Sequence, residues 1–237
     1  MRHYSTLSSN THLLSIHQSN INKFVTGAGL PHHDVDLTED SEDGPVYTFQ
    51  SCTFNGLSNS GNGGAITCSA SSTSSWKPQL IIKQSTFNSC ESSSGHGGGV
   101  YVEGVSSSLV DKTIFTNCKS LSQDAGAIFF TSFGYPSISN TVFISCCARL
   151  TDGYPPGWDD GGACLLDTSF SSDDVCYIIQ SCRFISCRTF NLGGAAHTYS
   201  GYCTIGFNDS LFTSCKSNTA EFIGIHLGTE KADALIC

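Results

Sequence analysis

Charge is scarce in this chain, and long apolar runs are missing. Only 13% of the 237 residues are charged, and no segment approaches the roughly 20 apolar residues of a membrane-spanning helix. The first residues, MRHYSTLSSNTHLLSIHQ, hold one Arg and no apolar run longer than Leu13-Leu14, so no signal peptide is expected there. Lys and Arg form no cluster in the sequence, and 11 of them stand against 20 acidic residues for a net charge of −9. Nucleic acid and anionic membrane both need a basic footprint, so neither is an expected partner. No Arg or Lys column is expected to repeat on a face, and Arg149, Arg183 and Arg188 are the local candidates for a basic group.

The 13 cysteines include no C-x-x-C pair, which leaves a structural zinc site without its usual ligand spacing. The acidic stretch His32 to Gly44, HHDVDLTEDSEDG, lacks the EF-hand spacing and the nonapeptide calcium motif, and it reads as a solvated loop. No metal and no cofactor is expected.

What the chain does have is a repeat. The stretch from Val110 to Phe130 supplies the template, and its Phe recurs at Phe54, Phe87, Phe115, Phe143, Phe184 and Phe212, with steps of 33, 28, 28, 41 and 28 by subtraction. Five residues before each Phe stands an apolar residue: Phe49, Ile82, Val110, Ile138, Ile179 and Phe207. Two before it stands a small one: Cys52, Ser85, Thr113, Thr141, Cys182 and Ser210. Three after it come Leu57, Cys90, Cys118, Cys146, Cys187 and Cys215. A glycine step follows at Gly63-Gly64, Gly97-Gly98, Ala125-Gly126, Gly161-Gly162, Gly193-Gly194 and, degenerate, Ile223-Gly224.

Each copy holds short apolar runs broken by Gly, Ser and Asn, too short for a helix and too small to close a core alone. Copies must therefore stack, as in a solenoid. A coil of about three short strands and three turns uses 28 residues, whereas leucine-rich repeats are shorter and propeller blades longer. The expected fold is all-β, a single-stranded right-handed parallel β-helix of about six to seven coils, with equivalent residues laddered at the ~4.8 Å strand spacing. Most cysteines then read as buried thiols acting as small hydrophobes, because in-register Cβ atoms lie farther apart than the ~3.5 to 4.5 Å of a disulfide. Cys146-Cys147 and the trio Cys176, Cys182 and Cys187 are the expected exceptions.

Residues 1–45 read as a degenerate amino-terminal coil and the acidic loop, since Ile16, Ser19, Ile21 and Phe24 share the spacing of Ile82, Ser85, Phe87 and Cys90. Residues 46–237 form the β-helix domain. Ile236 takes the apolar position that would begin another coil, so the carboxyl end is expected to be truncated and the β-helix to continue in a longer parent protein.

Two insertions stand out, SASSTSSWKP and LTDGYPPGWDD, and they hold both tryptophans. Insertions in solenoids map to turns, often on a binding face. Tyr154, Trp158 and Trp76 are therefore candidate ligand platforms, with loop packing as the alternative role. Should the chain be a polysaccharide hydrolase or lyase, its carboxylates would be Asp152, Asp159 and Asp160, because glycoside cleavage needs an acid and a base or nucleophile. Thr151-Asp152-Gly153, Asp159-Asp160 and Gly95-His96-Gly97 resemble polygalacturonase motifs, but in the wrong order and without the following Arg-Ile-Lys. Gly95-His96-Gly97 is better explained as a polar turn into the glycine step. Asn208-Asp209-Ser210 is the one glycosylation acceptor noted.

The paired signatures Phe-x-x-Cys and Gly-Gly-Ala-Ile over residues 46 to 228 resemble the polymorphic outer membrane protein (Pmp) repeat. That family belongs with the right-handed, pectin-lyase-like β-helices, and Pmp-like surface proteins occur in some parasitic protists. Cys here replaces the family's Asn, and no β-barrel translocator follows. The resemblance implies a non-catalytic module of a cell-surface or secreted protein, adhesive through turns and long loops, with a glycan or host-surface protein as partner.

Overall fold

A computed structural model of the chain describes residues 13–17, 20–21, 25–27, 46–69, 77–131, 135–148, 161–167, 175–190, 192–199, 203–217, 225–228 and 234–236. Every strand among them pairs in parallel with its equivalent in an adjacent coil. Four sheets result, of 8, 7, 6 and 7 strands when taken in the order the chain meets them. The architecture is a parallel β-helix solenoid.

One coil shows why the sequence folds this way. It runs Gln79–Lys83, Thr86–Asn88, Glu91–Ser92 and Val100–Glu103, one strand in each sheet. That makes four strands per coil where the repeat length suggests about three; the extra one is only two residues long. Along Gln79–Lys83 burial alternates, with Leu80 and Ile82 inside and their neighbours outside, which is the period a strand imposes.

Single left-handed residues turn the chain between the first three sheets. At the first corner these are Ser51, Gln84, Lys112, Asn140, Ser181 and Asp209, with φ between 49° and 54°. At the second they are Gly56, Ser89, Asn117, Ser145, Ser186 and Ser214, with φ between 52° and 61°. For Gln84 and Lys112 the left-handed region costs roughly 1–2 kcal/mol each, so packing on both sides must hold it.

The residue after each bend points inward and secures it. At the first corner Ser85, Thr113, Thr141 and Ser210 donate their hydroxyls to the carbonyl two residues back, at 2.8, 3.0, 2.7 and 3.1 Å. Cys52 and Cys182 do the same through sulfur at 3.4 and 3.3 Å. A small side chain carrying a hydrogen-bond donor is what the site requires, which is why only Ser, Thr and Cys occupy it.

Inside the tube the columns stack as the repeat demands. The apolar column pairs Phe49, Ile82, Val110, Ile138, Ile179 and Phe207 rung on rung. The Phe rings lie 4.4, 4.6, 5.2, 4.8 and 4.8 Å apart and within 11° of parallel. Burying one such side chain fully is worth about 1.5–3 kcal/mol. The 33- and 41-residue steps leave this register intact, because Phe54 still pairs with Phe87 and Phe143 with Phe184.

The glycine step is a contact between backbones. A Cβ on Gly64, Gly98, Gly126 or Gly162 would overlap backbone atoms of the neighbouring strand or coil. In the last coil the register pairs Ala196 with Ile225; the degenerate step at Ile223-Gly224 lies outside the described residues. At the other end Leu13–His17 pairs with Val46–Gln50, setting Ile16 beside Phe49, and Ile21 lies beside Phe54. Ile236 lies beside Phe207.

Candidate functional site

The residues singled out in the inserted loops, Trp76, Asp152, Tyr154, Trp158, Asp159 and Asp160, all lie outside the described residues, as does Arg149. The described surface directs attention to the second corner instead.

There the chain places three consecutive side chains in alternating directions. The left-handed residue faces out, the next faces in as the cysteine column, and the one after faces out again as the first residue of the two-residue strand. The inward column Cys90, Cys118, Cys146, Cys187 and Cys215 is buried. Each Sγ sits 3.6–3.7 Å from the carbonyl two residues back and 3.5–3.7 Å from the Phe carbonyl of the preceding coil. All ten cysteines whose side chains are described are buried thiols, Cys146, Cys147, Cys182 and Cys187 included. Burial pushes the thiols of Cys146 and Cys164 well up and that of Cys68 to about 12. Cys68, Cys146 and Cys164 thus fill volume as neutral thiols.

The outward row reads Ser58, Glu91, Lys119, Cys147, Arg188 and Lys216, paired rung by rung. The expectation that no Lys or Arg column repeats on a face is therefore overturned: three of the chain's 11 basic residues share this row. Beside it runs the left-handed row Ser89, Asn117, Ser145 and Ser186. Together with Lys119, Cys147 and Arg188 these four line an open groove of about 430 Å³. Arg183, by contrast, lies on the second sheet between Val142 and Leu211.

Cys147 explains why there is a groove at all. It is the short residue between two long cations, and it forms the floor, only 1% exposed. Its thiol is raised by burial, against the opposing pull of Arg188, through charge and a hydrogen bond, and of Lys119. Among the described residues no carboxylate lies within ion-pair distance of Lys119, Arg188 or Lys216.

A second outward row behaves differently. Tyr101, Phe129, Leu165 and His197 project from the outer face of the fourth sheet, yet each is buried. His96, from the turn before the glycine step, lies 4.5 Å from the Phe129 ring, and its Nδ1 is 3.2 Å from Asp124 Oδ2. The turn thus lies over Phe129 and beside Tyr101. Ser210 of the glycosylation triplet is occupied at the first corner, where its hydroxyl donates to the Asn208 carbonyl.

No helix among the described residues is long and apolar enough to cross a membrane. No protein-family model matches the chain, and comparisons with curated proteins and with solved structures find no match.

Proposed function

We propose that the chain is a non-catalytic β-helix repeat module of a cell-surface or secreted protein, engaged in adhesion or ligand interaction. The observation that carries this reading is the division of labour across each strand. Inward positions keep the same residue type from coil to coil, as the Phe and Cys columns show, while the outward row changes from Ser58 and Glu91 to Lys119, Cys147, Arg188 and Lys216. A rigid column with freely varied outer rows is a display scaffold, and loops and rows on rigid elements are where binding residues concentrate. The Pmp resemblance in Phe-x-x-Cys and Gly-Gly-Ala-Ile supports a surface setting, although fold alone does not assign function.

Binding to a glycan array and to cell surfaces, with reducing ends assayed in parallel, tests the reading. Retention without release of reducing ends is the expected outcome. Turnover that disappears in Asp160→Asn would replace the module with a carbohydrate-active enzyme.

A further inference from the structure

We infer that the groove along the second corner binds a linear anionic saccharide, one bearing sulfate or carboxylate groups along its length. The inference rests on reading the chain as a binding module, and it names that module's ligand class.

Three features of the groove select this chemistry. Lys119 and Arg188 stand two rungs apart, roughly 9.6 Å at the strand spacing, and Lys216 extends the row by one more rung of ~4.8 Å. Lys119 and Arg188 line the groove; Glu91 occupies the rung on the far side of Lys119, but no described carboxylate is ion-paired with either cation, so their charge is available to a ligand. The floor is a neutral thiol, held neutral by burial, which leaves room between the two long side chains without adding charge of its own.

The flanking row adds a repeating polar edge. Ser89, Asn117, Ser145 and Ser186 recur at the same rung spacing as the cations, each offering both donor and acceptor. A chain of sugar units presents hydroxyls and acidic groups in just such parallel series. The lining contains no aromatic residue on which a base would stack and no apolar pocket for a peptide anchor. The net charge of −9 over the whole chain opposes non-specific attraction of a polyanion and confines attraction to the groove.

The experiment is titration calorimetry of the full chain with four probes: a sulfated hexasaccharide, a polyuronate hexasaccharide, a neutral hexasaccharide and inorganic sulfate. A single-stranded oligonucleotide serves as a fifth. Lys119→Glu, Arg188→Glu and Cys147→Glu are compared with Lys83→Glu, a cation on the first sheet, after thermal melts confirm that each variant is folded. An acidic hexasaccharide should bind, and each of the three groove variants should weaken it about tenfold, the scale of one lost charge-assisted contact. Lys83→Glu should leave it unchanged. Which acidic probe binds better identifies sulfate or carboxylate as the source.

The inference is overturned if the groove variants bind like Lys83→Glu, if inorganic sulfate binds as tightly as the hexasaccharide, or if the neutral sugar or the oligonucleotide binds best. Should acidic sugars fail while glycan or cell retention persists, the module reading survives without this ligand. Release of reducing ends would remove the module reading whatever the groove does.

Discussion

Cys146 and Cys147 are adjacent in the chain and serve opposite faces of it. Cys146 stacks in a column of like residues, its Sγ against two carbonyls. Cys147 sits between Lys119 and Arg188 on an outer row that runs from Ser58 and Glu91 to Lys216 with no single residue type kept. One residue of displacement thus separates a position that packing dictates from one that packing leaves free. The lesson is general to this fold, because a strand's period of two assigns every residue to one regime or the other.

The largest test of that contrast compares neighbours on the second sheet. Phe143 is fully buried between Phe115 and Phe184, whereas Ile144 faces outward and is partly exposed. Phe143→Ala should cost about 3–5 kcal/mol, the range for a large aromatic removed from a core. Ile144→Ala should cost under about 1 kcal/mol. Denaturant unfolding of both variants is the measurement, and comparable losses would mean that the stacked column is not where stability resides.

Most of the architecture was legible before any coordinates, because a stacked repeat writes the same constraint into the sequence at each coil. The Phe and Cys columns, the small corner residue and the apolar column all fell into register across steps of 33 and 41 as well as 28. The basic row was legible too and was missed. It occupies the position directly after each column cysteine, but Lys119 and Arg188 are 69 residues apart by subtraction, so a search for nearby cations passes over them. The covered outer face of the fourth sheet was a different matter. The repeat says which way Tyr101 and Phe129 point, and only the path of the intervening turn, with His96 laid on Phe129, says that they are buried.

Alkaline pH sharpens the contrast between the two thiol environments. Cys68 is raised to about 12 from an ordinary 9.0 by burial. A neutral thiol in the fold that ionises in the unfolded chain contributes stability that is whole below pH 9 and lost as pH climbs toward 12. The slope is about 1.4 kcal/mol per pH unit for each such thiol. Unfolding free energies measured from pH 8 to 11 should therefore fall steeply, and Cys68→Ala should flatten the fall. Cys147→Ala should flatten it less, because Arg188 and Lys119 oppose the rise that burial causes there. Equal slopes in the two variants would mean that the outer cations leave the Cys147 thiol unaffected.

The smallest effect belongs to an outward carboxylate at the first corner. Burial is the largest single influence and raises the Asp111 carboxyl, but hydrogen bonds from Asn140 Nδ2 and Ser139 Oγ, both 2.8 Å, together with Lys112 and Lys83, outweigh it and bring it below the ordinary 3.8. A carboxyl lowered in the fold contributes stability that is present above its unfolded pKa and disappears as pH falls through the folded value. The contribution at neutral pH is therefore lost only in the acid limb, below about pH 4. Asp111 is largely solvated, and screening keeps such a contribution within about 1 kcal/mol. Asp111→Asn should shift the acid unfolding midpoint slightly and leave the alkaline limb where it is. That outcome would show the outer rows tuning stability only at the margin, with the inner columns setting its scale; a loss as large as that of Phe143→Ala would reverse the order.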